Sequence, residues 1–204
     1  MLRAFGFRSH PRPRLVGERV YLRYPALRDW AAWASLRQAS RSFLTPWEPT
    51  WPSDALDRGA YRRRLRRQYA EIEQDRAYPF FVFAMSDDRL VGGVTLTNVR
   101  RGVAQAATVG YWVGAEFGGQ GLMTEAVCAV LGFAFNALNL HRVEAICIPD
   151  NHRSRRLLER VGFVHEGNAR GVLRINGAWR DHVAYAILRE DPLAPASQRS
   201  VASL

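Results

Sequence analysis

The pattern of apolar and polar positions along the chain predicts a single mixed α/β sheet. Val20, Leu22 and Tyr24 alternate with their neighbours as in an edge strand, whereas Leu158 and Val161 follow helical spacing. Runs of β-branched and aromatic residues predict the other strands. The predicted strands cover 18–24, 80–85, 90–97, 106–113, 142–148, 163–166, 171–175 and 179–188, and the predicted helices cover 30–40, 53–75, 126–138 and 151–161.

Turn and cap residues mark several element ends. Asp29 is a predicted N-cap for the helix that starts at Trp30. Gly162 fits the C-terminal cap of the helix 151–161, and the dipeptide 176–177 (Asn-Gly) predicts a hairpin turn. These signals set one expected helix start, one expected helix end and one expected hairpin turn.

The chain is long enough for one domain with its own core. It has 204 residues, and neither an internal repeat nor a linker divides it. We expect a single domain at 15–190. Residues 1–14 are basic and contain prolines, which predicts a flexible arm, and 191–204 are expected to form a loose polar tail.

The charge balance is strongly basic. The formal net charge is +10 and the pI is about 10.7, with the positive charge supplied by arginine. Arginine binds phosphate and carboxylate bidentately, which favours nucleic acid, ribosomes or acidic ligands as partners. Five arginines between Arg62 and Arg67 form either a solvated helix face or a contact for RNA phosphates. The alternative is an arginine-rich composition without a specific partner, because the arginines are dispersed.

Membrane and metal chemistry are not indicated. No apolar run approaches the roughly 18 residues of a membrane span, and the basic start lacks the apolar centre of a signal peptide. Cys128 and Cys147 lack metal-ligand spacing and fit buried free thiols. We therefore expect a cytoplasmic protein with no metal and no membrane partner.

A glycine loop, residues 118–121 (Gly-Gly-Gln-Gly), joins the predicted strand 106–113 to the helix that follows. Glycines let the backbone approach a ligand closely. The first N–H groups of a helix lack internal partners and favour negative charge. The glycine loop therefore fits a phosphate or pyrophosphate site, or else an ordinary tight connection between strand and helix.

A proline-rich segment at 43–52 contains Trp47 and Trp51. Three prolines interrupt it, so a continuous helix is not expected there. Aromatic side chains among prolines fit a loop that lines a substrate site. They equally fit a hydrophobic plug over the core.

Several of these segments together resemble the GNAT superfamily of acyl-CoA N-acyltransferases. The strand, the glycine loop and the helix resemble its pyrophosphate-binding motif, and the segment from Asn151 to Phe163 resembles its second signature, an asparagine before a helix that ends in Gly-Phe. The similarity is greatest to the RimJ/RimL group, the ribosomal-protein N-terminal alanine acetyltransferases, and extends from about Leu15 to Arg189. Its further segments are 110–112 (Gly-Tyr-Trp), 123–126 (Met-Thr-Glu-Ala), 141–143 (His-Arg-Val), 166–167 (Glu-Gly) and 175–182.

The resemblance implies a fold and a co-substrate. The fold is α/β (α+β), with a mixed, mostly antiparallel sheet splayed into a V and about four flanking helices. The co-substrate is acetyl-CoA, whose pyrophosphate would lie on backbone N–H groups and whose pantetheine arm would bond the free strand edge near Val113. The implied cofactor-binding residues are Val113, Gly118, Gly119, Gln120, Gly121, Leu122, Met123, Thr124, Asn151 and Ser154.

The implied reaction is direct attack of a primary amine on the thioester through a tetrahedral oxyanion. The catalytic residues would be Asn151, which holds the pantetheine or the acceptor, and Ser154, which assists the departing thiolate. Ser154 takes this role because Leu158 stands where many relatives have a tyrosine; otherwise it fits a helix-stabilising hydroxyl. Trp47, Trp51 and Tyr111 are the expected acceptor-binding residues.

The sequence departs from the family pattern at identifiable positions. Gly118 stands where an Arg or Gln is usual, and Met123 where the last residue is small, so a side-chain contact to phosphate is lost. An α-amine has a pKa of about 7.7–8.0 and needs little help from a base, so no general base is assigned. The possible bases are Glu116, Glu144, Asp150, Glu166 and His182.

Three functions are compatible with these features. The first is acetyl transfer from acetyl-CoA to a protein N-terminus, such as that of a ribosomal protein. The second is acetylation of a small amine, an aminoglycoside or a polyamine, although a cationic acceptor fits poorly with a charge of +10. The third is an RNA- or ribosome-binding protein with a vestigial acyl-CoA site. The chain would be a monomer or a homodimer.

Overall fold

The computed structural model describes residues 13–192, and in this part of the chain eight strands form one sheet. Their spatial order is β1-β2-β3-β4-β5-β6-β8-β7, and only the β5–β6 pair is parallel. The mixed, mostly antiparallel sheet expected from the sequence is thus confirmed. The strands are β1 (Leu15–Val16), β2 (Val20–Arg23), β3 (Tyr78–Ala84), β4 (Leu90–Arg100), β5 (Ala106–Val113), β6 (Arg142–Cys147), β7 (Val164–Ile175) and β8 (Ala178–Leu188).

Five α-helices flank this sheet within the described residues, one of them a single turn. They are α1 (Trp30–Ala39), α2 (Arg41–Leu44), α3 (Arg58–Glu73), α4 (Leu122–Gly132) and α5 (His152–Val161). A π-helical turn, Phe133–Ala137, extends α4, and 3-10 turns lie at Leu27–Asp29, Thr45–Trp47 and Ala115–Phe117. No helix in the described range is both long and apolar enough to cross a membrane.

The helix α4 is the centre of the core. All of its residues except Thr124 are buried, including the carboxylate-bearing Glu125. A helix that is apolar on all sides is stable only when it is enclosed. The glycine loop at its start is therefore held against a fixed element.

The two faces of the sheet can be distinguished at two neighbouring glycines of β4. A Cβ on Gly92 would lie 3.0 Å from the side chain of Met123 in α4, whereas a Cβ on Gly93 would lie 2.7 Å from the indole nitrogen of Trp112. Successive residues of a strand point to opposite faces. The helix α4 therefore covers one face, and Trp112 points to the other, where the guanidinium carbon of Arg37 lies 4.9 Å from the centroid of a Trp112 ring.

The sheet opens between β5 and β6. These strands pair only at 106–108 with 142–144. Beyond that point β5 continues to pair with β4 as far as Val113, and β6 with β8 as far as Cys147. Among the described residues, the β5 edge from Val109 to Val113 has no strand partner on the β6 side. The splayed V implied by the family resemblance is present.

Several local predictions are wrong. The helix predicted at 53–75 begins at Arg58, because 53–57 form turns in which the N–H groups of Ala55 and Asp57 donate to carbonyls three residues earlier. Asp29 does not cap α1; its carboxylate accepts from the Ala26 N–H at 2.7 Å and from the Arg23 guanidinium.

The predicted strands at 163–166 and 171–175 form one strand, β7, whose register shifts at two bulges. Gly162 ends α5 as predicted, and its N–H donates to the Leu158 carbonyl at 3.2 Å. Residues 1–12 and 193–204, which hold most of the predicted arm and tail, lie outside the described residues.

Candidate active site

The glycine loop forms the turn that leads into α4. Gly119 and Gly121 both have φ near +80°, which glycine adopts without strain. The Gly118 N–H donates to the Ala115 carbonyl at 3.2 Å, and the Glu125 N–H donates to the Gly121 carbonyl at 3.2 Å. Between these bonds, the N–H groups of 119–124 have no acceptor in the described chain. At the positive end of a buried helix, they form a site for phosphate oxygens.

Arg19 borders the glycine loop, and the sequence alone did not reveal it. Its backbone N–H and Nε donate to the buried Glu125 carboxylate at 2.9 and 2.6 Å, and its Nη1 donates to the Gln120 carbonyl at 3.1 Å. The side chain is 53% exposed. It therefore fixes the loop to the start of β2 and places a positive charge beside the free N–H groups. These contacts join distant parts of the chain, so no sequence spacing marks Arg19 among the other arginines.

Two hydroxyl groups meet at the open end of the cleft between β5 and β6. The Ser154 Oγ lies 2.7 Å from the hydroxyl oxygen of Tyr111 on β5. Asn151 caps α5, since its Oδ1 accepts from the Ser154 N–H at 3.1 Å. The carboxamide NH2 of Asn151 has no acceptor among the described residues and remains available to a ligand. The two predicted catalytic residues are thus adjacent, and Tyr111, a predicted acceptor-binding residue, contacts Ser154.

Burial keeps the titratable groups of the cleft protonated. It raises the pKa of Tyr111 well above its ordinary value, and the hydrogen bond with Ser154 opposes this only in part. Burial likewise raises the pKa of the Cys147 thiol, against a smaller opposing effect of the Ser154 hydroxyl. Cys147 and Cys128 are buried free thiols, as predicted. The cleft therefore offers hydroxyl donors rather than bases near neutral pH.

Three of the possible general bases are engaged in ion pairs. Glu116 pairs with Arg89, and Glu144 and Glu166 both pair with Arg142. The Arg142 guanidinium lowers the pKa of Glu166. All three carboxylates are thus held by guanidinium groups rather than free in the cleft.

The loop with Trp51 lies on the face opposite α4. The guanidinium carbon of Arg37 is 4.2 Å from the centroid of a Trp51 ring, and both Nη atoms of Arg37 donate to Glu48 at 2.7 and 2.6 Å. The Trp51 Nε1 also donates to Glu48, at 2.8 Å. The Glu48 carbonyl accepts from the Asn176 N–H at 2.9 Å, so this loop meets the tip of the β7–β8 hairpin.

Neither predicted tryptophan plugs the core. Trp47 ends a 3-10 turn and Trp51 packs on Arg37, and the buried core cluster includes neither of them. The site residues predicted from the sequence thus fall into two groups. One surrounds the glycine loop and the cleft, and the other lies across the sheet, beside Trp112.

The chain is similar to known acetyltransferases over most of its length. A profile of the acetyltransferase (GNAT) domain matches residues 19–164. The probable N-acetyltransferase YjcK of Bacillus subtilis is 38% identical over 177 residues, which cover 87% of this chain and 98% of that protein. The ribosomal protein uS5-alanine N-acetyltransferase of Escherichia coli is 35% identical over 188 residues, 92% of this chain and 97% of that protein.

A solved structure gives the same result. RimJ of Mycobacterium smegmatis, in complex with CoA-disulfide, superposes with a TM-score of 0.81 at 36% identity. The match covers 88% of this chain and 87% of that one. The family match at 19–164 spans the glycine loop, the cleft residues Asn151 and Ser154, and the segment with Trp51.

Proposed function

Because the chain belongs to the acetyltransferase (GNAT) domain family, it is an acetyl-CoA-dependent N-acetyltransferase, and we propose that its acceptor is the N-terminal α-amine of a protein. A ribosomal protein is the proposed acceptor protein, since the Escherichia coli relative is named for uS5-alanine acetylation. The third function, a vestigial acyl-CoA site, is not favoured.

The proposal of an α-amine as acceptor rests on the residues that contact Ser154. Its side chain and backbone contact Tyr111, Asn151 and Cys147, and none of these is a carboxylate. A lysine side chain, with a pKa near 10.4, needs a base to supply its neutral form, whereas an α-amine at about 7.7–8.0 is substantially neutral near physiological pH. Hydroxyl donors, with no carboxylate among these described contacts of Ser154, therefore suit an α-amine.

The residues present fit coenzyme A. The N–H groups of 119–124 have no acceptor in the described chain and can bind a pyrophosphate, and Gly121 has φ near +80°, which other residues adopt only with strain. The free β5 edge from Val109 to Val113 can pair with an amide-bearing arm as an added strand would. We assign pyrophosphate binding to the glycine loop and the first turn of α4.

The catalytic roles follow from this placement. Bound acetyl-CoA supplies the thioester carbonyl that the neutral amine attacks. Asn151 orients the reactants with its free NH2, and Ser154 Oγ donates its hydrogen bond and proton to the departing sulfur. Tyr111 hydrogen-bonds Ser154 in turn. The amine releases its proton to solvent, and a proton from solvent restores the Ser154 hydroxyl.

The test uses peptides of one sequence with a free or an acetylated N-terminus, each carrying an internal lysine. The purified protein is incubated with acetyl-CoA, and CoA release and the modified position are measured by thiol assay and mass spectrometry. We expect acetylation of the free N-terminus only. Modification of lysine in the blocked peptide, or activity limited to small amines, would reject the proposed acceptor.

A further inference from the structure

A cavity of about 730 Å³ lies on the face opposite α4. We call it the arginine pocket. It lies between α1, α3, the segment 48–56 and β5, and its principal lining residues are Trp33, Arg37, Trp51, Arg64, Arg67 and Trp112.

The charges of the arginine pocket do not cancel. Two of its four arginines have carboxylate partners: Arg37 pairs with Glu48 at 2.6 Å, and Arg63 pairs with Asp54 at 2.5 Å. Arg64 and Arg67 have no acidic partner among residues 13–192. The pocket therefore has two positive charges in excess.

Its buried donors are also unsatisfied. Trp33 is 2% exposed and its Nε1 has no hydrogen-bond partner, and the Nε of Arg37 likewise has none. A buried donor without a partner costs about 1–3 kcal/mol. Trp33 and Arg37 are one helical turn apart on α1 and both line the cavity. The described chain thus leaves two donors in the wall of the pocket without an acceptor.

Arg64 differs in its position from the neighbouring arginines of α3. Arg62 and Arg66 are exposed on α3, whereas Arg64 lines the cavity with its guanidinium carbon 5.4 Å from the centroid of a Trp33 ring. Burial and the neighbouring Arg37 charge lower the pKa of Arg64. The positive charge of Arg64 is thus held in a site where an anion would stabilise it.

We propose that the arginine pocket binds the carboxylate of an acidic side chain of the acceptor polypeptide, a few residues after the amine that is acetylated. This rests on the proposed function. Arg64 and Arg67, which have no acidic partner among the described residues, suit a bidentate oxyanion, and the rings of Trp51 and Trp112 suit the apolar stem that carries it.

The position of the arginine pocket favours the acceptor as its ligand. Trp112 follows Tyr111 directly in β5, so the pocket and the hydroxyl pair lie on the two faces of one strand at the open end of the V. The Glu48 loop at the pocket contacts the tip of the β7–β8 hairpin. An extended peptide spans about 3.3–3.6 Å per residue, so a few residues reach from one face to the other.

The experiment compares peptides with a free N-terminus in which glutamate or glutamine occupies each of positions three to seven in turn. We expect the wild-type kcat/KM to favour glutamate at one position by on the order of tenfold. Arg64→Gln is expected to lower the glutamate value to the glutamine value, and Arg67→Gln to reduce the preference in part. Arg66→Gln, on the exposed side of α3, is the matched control and should retain the preference.

The outcomes separate the two proposals. If no free N-terminus is acetylated, the proposed function fails and the pocket assignment fails with it. If peptides are acetylated but glutamate is not favoured at any position, only the pocket assignment is overturned. Loss of single-stranded RNA binding in Arg64→Gln and Arg67→Gln, with peptide kinetics unaltered, would also overturn it. Thermal unfolding checks that Arg64→Gln is folded, and the exposed Arg67 provides a second variant.

Discussion

The two faces of the sheet build their sites from different parts of the chain. On the α4 face, the proposed ligand-binding groups are backbone N–H groups of 119–124, supported by Arg19. On the opposite face they are side chains such as Arg37 and Trp51, gathered from α1, α3, a loop and β5. Backbone N–H groups are the same in every residue, so their contacts with a coenzyme change little with sequence. Side chains can be substituted one at a time. Substitutions on the two faces should therefore change different constants.

The largest effect is expected at the glycine loop. Gly121→Val forces a β-branched residue to φ near +80° and places a Cβ 3.1 Å from the Arg19 Nη2. Loss of two charge-assisted hydrogen bonds, worth about 1.5–3 kcal/mol each, should weaken CoA binding roughly 10³-fold. Calorimetry measures this directly. Gly59→Ala in α3 is the control, because its Cβ would meet only the Arg63 Nη1, at an ordinary 3.7 Å; equal affinities in the two variants would refute the assignment.

A smaller effect, confined to turnover, is expected at the cleft. Ser154→Ala removes the hydroxyl beside the departing sulfur and should lower kcat roughly 10²-fold, with CoA affinity nearly unchanged. Tyr111→Phe should lower kcat less, because it removes only the group that supports Ser154. Equal losses of turnover and CoA affinity in Ser154→Ala would show that Ser154 anchors the coenzyme instead.

The difference between the faces also decides what the sequence can predict. The glycine loop, the start of α5 beside Asn151 and the Gly162 helix end depend on neighbours within a few residues, and each is found where it was predicted. The roles of Arg19 and Arg64 depend on contacts between distant elements, which no spacing encodes. Local signals were misleading at Asp29 and at 53–57, where tertiary hydrogen bonds and turns determine the helix starts, and at 163–175, where two predicted strands form the single strand β7.

On the opposite face, Glu48→Gln should affect the acceptor and not the coenzyme. The carboxylate accepts from Arg37 and from Trp51, and Arg37 is only 11% exposed. Neutralising it leaves a buried guanidinium without its counter-charge, which should cost about 1–3 kcal/mol of unfolding free energy. We expect the peptide KM to rise on the order of tenfold as the loop loosens. A changed CoA affinity, with peptide KM unaltered, would contradict the division between the faces.

The smallest effect is expected far from both sites, where Asp75→Asn sets the baseline. Arg101 binds the Asp75 carboxylate at 2.6 and 2.8 Å and lowers its pKa, although burial acts in the other direction. A lowered carboxyl pKa stabilises the fold above the unfolded value near 3.9, and that contribution disappears as the pH falls through the folded value. The pair is 38–40% exposed, so solvent screening limits the loss to below about 1 kcal/mol.

Asparagine tolerates the positive φ of this position, 54°, so the charge is the main change. Denaturant unfolding should show the wild type to be slightly more stable at pH 7 and the two proteins to converge below pH about 4. Both the CoA affinity and the peptide KM should equal those of the wild type. Asp75 contacts neither site. A change in the CoA affinity alone or in the peptide KM alone would therefore show that substitutions act across distant regions. The separate responses of the two faces would then need another explanation.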